Sequence, residues 1–184
     1  MRIGIAIRRE GNSWFVSGGQ RYRFPGGCEV EGDWSQAAFF LAMGVEAKGL
    51  RYDSRQGDRA VTKMLAAIDA APASGTTLDI SQTPDLYPVL AAYAAATGRA
   101  VAFTGTERLR LKESDRIAST AALIEAVCRG EPVRTFGDHR IAMSAAVMAC
   151  YATRPVEVRG AECVAKSYPA FWDDFDSLAR GPVA

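Results

Sequence analysis

The chain has 184 residues, 48% apolar and 23% charged, with 22 basic side chains against 21 acidic ones and a net charge of +1. That mixture fits a globular chain with room for one ordinary domain and excludes nucleic-acid binding by bulk positive charge, although a local basic site stays open. No apolar run approaches the roughly 18 residues of a membrane span, and the opening MRIGIAIRRE lacks a signal-peptide core, so a cytoplasmic protein is expected.

The first element is a hairpin, with a strand at Ile3–Ile7, a turn at Glu10-Gly11-Asn12 and a second strand at Trp14–Ser17. Gly18-Gly19 and Pro25-Gly26-Gly27 then break the chain, so residues 1–29 read as a hairpin and linker. From residue 30 onward the sequence repeats itself. Asp33, Asp85 and Asp138, spaced by 52 and 53 residues, each precede or open an Ala-rich apolar helix, with a short strand on either side. Asp33 with Gln36 fits a capping box, Pro84 fits a first helical position, and Gly44 and Gly98 fit helix stops. The stretches Val89–Ala96 and Ile141–Tyr151 are apolar all round, as buried helices are.

A polar turn and a more amphipathic helix follow each second strand, at 56–59, 112–116 and 166–169. The expected fold is therefore α/β. Three repeated βαβαββ-type units surround a pseudo-threefold axis, buried helices inside and sheets outside, in one domain over residues 30–184. One unit alone cannot bury its own apolar helix.

Common chemical signatures are absent. There is no phosphate-binding G-x-x-x-x-G-K-[ST] loop, no G-x-G-x-x-G turn and no G-x-S-x-G elbow. Four cysteines without a C-x-x-C spacing and a single histidine, His139, argue against a zinc site or a disulfide framework. What remains is charge at helix starts: Lys112, Glu113 and Arg116; Asp138, His139 and Arg140; Asp85; and Lys166. In repeated units these ends converge on one face. A cation at a helix N-terminus opposes the macrodipole, and a bound anion reverses that sign, so the cluster suggests a pocket for a small, multiply anionic substrate. Taken singly, each aspartate reads first as a cap, Lys166 as a surface lysine, and the 112–116 run as a solvated helix start.

Three runs, LKESDRI at 111–117, GDHRIAM at 137–143 and AKSYP at 165–169, resemble the signature runs of the EPSP synthase family. Gln20-x-Tyr22-x-x-Pro25-Gly26, Val30-Glu31-Gly32-Asp33 and Thr83-Pro84-Asp85 resemble further family segments in the same order. The resemblance implies one domain of the enolpyruvyl transferase fold. It also implies transfer of the enolpyruvyl group of phosphoenolpyruvate to the 5-hydroxyl of shikimate 3-phosphate, with no metal or organic cofactor. On it, Asp85 holds the 5-hydroxyl as general base, Lys112 binds the phosphorylated substrate, and Arg116 and Arg140 clamp a carboxylate. Glu113 and Lys166 manage protons, and Arg108 contacts substrate.

The family's N-terminal half has no counterpart here, and the stretches 70–77 and 128–137 are shorter than the hairpins expected there. The chain thus resembles the C-terminal domain, with the N-terminal domain as its implied partner and neither nucleic acid nor membrane involved. A non-catalytic anion-binding or regulatory module on the same fold is the alternative. The related enzyme acting on UDP-N-acetylglucosamine is not expected to carry these runs. RNA 3′-phosphate cyclases, which resemble the fold, are disfavoured by the balanced charge.

Overall fold

The computed structural model describes residues 4–23 and 26–179, and Ile3 and Pro25 lie outside them. The chain divides into two compact units, residues 1–31 and 32–184.

The first unit carries an antiparallel hairpin, β1 (Ile7–Glu10) and β2 (Ser13–Val16), in register Ile7 to Val16 and Glu10 to Ser13. The first strand thus lies later than expected, and the reason is geometric. A two-residue Gly11-Asn12 connection fixes the register. With β2 ending at Val16, just before Gly18-Gly19, the ladder has Ile7–Val16 as its outermost pair. The Gln20 amide clasps the base of the hairpin, accepting from Ala6 N at 2.7 Å and donating to Ser17 O at 2.9 Å.

The second unit is a mixed α/β body of helices and small sheets. In order it has α1 (Trp34–Ala42), α2 (Val61–Asp69), β3 (Thr76–Asp79), α3 (Tyr87–Ala96), β4 (Val101–Thr104), α4 (Arg116–Arg129), β5 (Val133–Arg134), α5 (His139–Tyr151), β6 (Val158–Arg159) and α6 (Phe171–Ala179). Short 3-10 turns at Gly57–Ala60, Pro84–Leu86, Glu107–Leu111 and Ala161–Lys166 precede α2, α3, α4 and α6.

Helices α1, α3 and α5 pack against one another. The largest core joins Trp34 and Phe39 of α1, Val89 and Leu90 of α3, Met143 and Val147 of α5, and Phe171 of α6. A second core under α4 unites Ala92, Leu123, Val133, Ile141 and Met148. Because α3 and α5 contribute to both, their apolar residues face neighbours on nearly every side, as the all-round pattern required.

Asp33 and Asp138 are side-chain caps, Asp33 Oδ1 accepting from Ser35 N at 2.8 Å and Asp138 Oδ1 from Arg140 N at 3.0 Å. The reciprocal half of the capping box does not form, because Gln36 Oε1 is buried without a hydrogen-bond partner. Asp85 caps nothing, since it sits inside the Pro84–Leu86 turn. Gly44 and Gly98 end α1 and α3 in left-handed conformation, with Val45 N reaching Phe40 O at 2.9 Å and Arg99 N reaching Ala94 O at 2.8 Å.

The strands depart most from expectation. β3 pairs β4 and β5 pairs β6, both parallel, but the first segment forms no strand. A single bond from Gly32 N to Gly49 O at 2.9 Å stands where its ladder would be. The linking strands are also absent among the described residues. Residues 70–75 and 130–132 run straight from α2 into β3 and from α4 into β5, which leaves no length for a further hairpin. The sheets are therefore separate two-stranded pairs instead of continuous outer layers. No described helix is long and apolar enough to cross a membrane.

Candidate active site

The starts of α3, α4 and α5 meet in one charged cluster centred on Arg116. This guanidinium is only 1% exposed and touches three carboxylates. Nη1 donates to Asp85 Oδ1 at 2.7 Å, Nη2 to Glu113 Oε2 at 2.7 Å, and Nε to Asp138 Oδ2 at 2.9 Å. Around this centre, Lys112 Nζ lies 3.0 Å from Asp85 Oδ1, Arg140 Nη2 donates to Asp85 Oδ2 at 3.2 Å, and Lys166 Nζ donates to Glu113 Oε1 at 3.0 Å. Asp85, Lys112, Glu113, Arg116, Arg140 and Lys166 thus come together from four stretches of chain. Arg108 does not join them. It projects from the exposed side of the Glu107–Leu111 turn, whose buried residue is Leu109.

Local structure explains the placement. Asp115 caps α4, accepting from Ile117 N at 3.1 Å and Ala118 N at 3.2 Å, and so sets Arg116 as the first residue of the helix, pointing inward. Asp138 caps α5 while binding Arg116, which locks the two helix starts together.

The cations at these helix starts are met by carboxylates of the same chain. Lys112, Arg116, Arg140 and Lys166 face Asp85, Glu113 and Asp138, leaving one positive charge in excess. Burial works to raise the Asp85 pKa, but Arg140, Lys112 and Arg116 outweigh it and hold the carboxyl below its ordinary value. Burial opposes ionisation of Glu113 as well. The bonds from Lys166 and the backbone, with the charge of Arg116, nevertheless bring it down to about 2. Both are carboxylates at neutral pH. His139 is buried, its pKa lowered by burial and by Arg140, and its Nδ1 stands 3.9 Å from Asp138 Oδ1 without a hydrogen-bond partner. It is a neutral ring there. Arg140 Nε is likewise buried and unpartnered.

Asp138 and Ser114 also belong to the cluster, and Asp58 outside it feels the charges of Asp85 and Arg140. Asp138, fully buried, does more than cap its helix. Ser114 Oγ lies 3.0 Å from Asp138 Oδ2 and 2.9 Å from Ser119 Oγ, and its signal was its place inside the 111–117 run. Asp58 takes a hydrogen bond from the Ser35 hydroxyl, and burial and the charge of Asp85 raise its pKa. The turn at 56–59, corresponding to those at 112–116 and 166–169, was the available signal for it. No group of three His, Cys, Asp or Glu side chains among the described residues could hold a metal ion.

The family profile for EPSP synthase (3-phosphoshikimate 1-carboxyvinyltransferase) matches residues 1–175. The chain belongs to the EPSP synthase family. Among curated relatives, the 3-phosphoshikimate 1-carboxyvinyltransferases of Clostridium kluyveri and Clostridium acetobutylicum are 34% and 35% identical, and that of Methanopyrus kandleri is 32% identical. Each match covers 96% of this chain. The chain spans about half the length of these relatives, at 49–50%. The Clostridium kluyveri alignment runs over 216 residues, more than the 184 of this chain, so that EPSP synthase has residues between matched segments that are absent here. The short connections at 70–75 and 130–132 agree with that difference.

Proposed function

We propose that residues 30–184 form one three-repeat domain about a pseudo-threefold axis and supply the C-terminal half-site of an enolpyruvyl transferase. The mutual packing of α1, α3 and α5, with Asp33, Asp85 and Asp138 at their starts, supports the repeat. The observation that carries the reaction is the convergence of six charged side chains around Asp85 and Arg116.

In the proposed reaction, the 5-hydroxyl of shikimate 3-phosphate adds to the central carbon of phosphoenolpyruvate while the methylene carbon gains a proton. The tetrahedral adduct then loses that proton and phosphate. Asp85, ionised and fixed by three cations, is placed to take the hydroxyl proton. The Lys166–Glu113 pair, 3.0 Å apart, can deliver a proton to the methylene carbon and remove it again. Arg140 and Lys112 are anion clamps that exchange Asp85 for substrate. Arg116 is suited to a planar carboxylate by its fork, but it holds three carboxylates of its own, so it acts in part by positioning. Arg108 is an outlying substrate contact. These steps need acid–base groups and anion clamps, without metal or organic cofactor, and a cytoplasmic setting suits them.

Phosphate release with both substrates tests the reading. Turnover should be near zero for the chain alone and should appear when the complementary half of a relative is added. Asp85→Asn and Lys166→Ala should each abolish the restored activity. Full turnover by this chain alone would discard the half-site, and silence under every reconstitution would favour a non-catalytic anion-binding module.

A further inference from the structure

Asp85 is held by three cations that differ in depth and in fit. The Arg116 side chain, 1% exposed, grips Oδ1 at 2.7 Å. Lys112 shares that oxygen at 3.0 Å, and the Lys112 and Asp85 side chains are 27% and 32% exposed, so small solutes reach this pair. Arg140 is served least well. Its Nη2 meets Oδ2 at 3.2 Å, its Nη1 reaches only the Asp85 backbone carbonyl at 3.5 Å, and its Nε is buried without a partner. A buried donor left without an acceptor is costly, and a guanidinium fork is met better by an oxyanion that offers several oxygens. Asp85 does not depend on the two outer cations for its own place. It keeps Arg116 when they leave, and Arg116 in turn stays anchored to Glu113 at 2.7 Å and Asp138 at 2.9 Å.

We infer that Asp85 is an internal competitor for small, multiply charged oxyanions. In the free chain it occupies Lys112 and Arg140, and an anion enters by taking these two cations while Asp85 retains Arg116. Naming the natural anion rests on the half-site reading above, but the exchange itself concerns binding, not turnover. A tethered carboxylate competes at a high effective concentration. The apparent affinity for a free anion then falls by the fraction of molecules in which the two cations stand released. The same contact selects by charge. A singly charged anion only replaces like with like, whereas a doubly charged sulfate or phosphate brings charge to spare.

Sulfate is the probe, because it stays doubly charged across the neutral range. Isothermal titration of the 184-residue chain should show Asp85→Asn binding sulfate about tenfold or more tightly than the unaltered chain. Asp58→Asn removes an equal charge from a carboxylate that pairs with Ser35, not with Lys112 or Arg140, and should change the affinity less than about threefold. In the unaltered chain, with isotope-labelled aspartate carboxyl carbons, sulfate should move the Asp85 resonance. That of Asp69, bonded to Tyr93 at the far end of α3, should stay in place. This second measurement decides the matter if Asp85→Asn does not fold. An affinity unchanged by Asp85→Asn overturns the proposal, as does an equal gain from Asp58→Asn, or sulfate that leaves the Asp85 resonance where it was. If the unaltered chain regains turnover with the complementary half while Asp85→Asn gains nothing for sulfate, the competitor is removed and the proposed reaction kept. Exchange of Asp85 for sulfate without turnover under any reconstitution does the reverse.

Discussion

Arg116 and Asp138 are both almost fully buried and meet through Nε and Nη2, so each neutralises a charge that has no access to water. A buried pair adds little net stability over an apolar replacement, but removing one partner strands the other at a cost of about 3–5 kcal/mol. Asp138→Asn should lower the unfolding free energy by that amount in urea titrations, against about 1 kcal/mol for Asp33→Ala at an exposed cap. Acid should act through different residues. Glu113 has a folded pKa of about 2 against an ordinary 4.5, so its stabilisation is complete above pH 4.5 and is lost as pH falls toward 2. Glu113→Gln should flatten that limb of a melting-temperature profile. His139 resists protonation in the fold, and the unfolded chain takes up a proton that the fold refuses once pH falls below about 6.5. Replacing His139 by Asn should therefore remove the slope just below that pH and leave the Glu113 limb in place.

Among the elements, the buried helices were the most legible. Runs such as Val89–Ala96 leave no polar face for solvent, and the structure buries Val89, Leu90, Ala92 and Ala94 of α3. Leu90→Ala should cost about 2–5 kcal/mol by cavity formation, whereas Leu178→Ala on half-exposed α6 should fall near zero, both measured by denaturant unfolding. The strands were legible only in the second and third segments. Residues 46–51 carry the same apolar hints, but without a partner ladder they remain a loop joined by one Gly32–Gly49 bond. Pairing depends on what lies alongside, which the local pattern does not contain. The site was legible for another reason. Lys112, Glu113, Arg116 and Arg140 stand at helix starts, and helix starts are placed by caps that the sequence displays. Arg108 stands apart from the cluster, because the side of its 3-10 turn, set by buried Leu109, decides its direction.

At the scale of the whole molecule, charge limits what the proposed half-site can hold. One surplus positive charge in the cluster is small beside the several negative charges of phosphoenolpyruvate and shikimate 3-phosphate. The chain alone should therefore bind either of the proposed substrates weakly, with a melting temperature that hardly moves at millimolar ligand, and the shift should grow when the complementary half is present. Calorimetric scans with and without that half measure the difference.

The parallel pairs have a kinetic consequence. Thr76 meets Val101 and Val133 meets Val158, so each ladder joins residues 25 apart, with one helix in the intervening loop. Parallel sheets are ordinarily slow to assemble because their strands must find one another across long stretches of chain. Here the search is confined to one segment at a time. The ion pair from Arg140 to Asp85, 55 residues apart, cannot close until two segments have met. Secondary structure should thus mature segment by segment, and the charged cluster should be the last part of the molecule to acquire its final form.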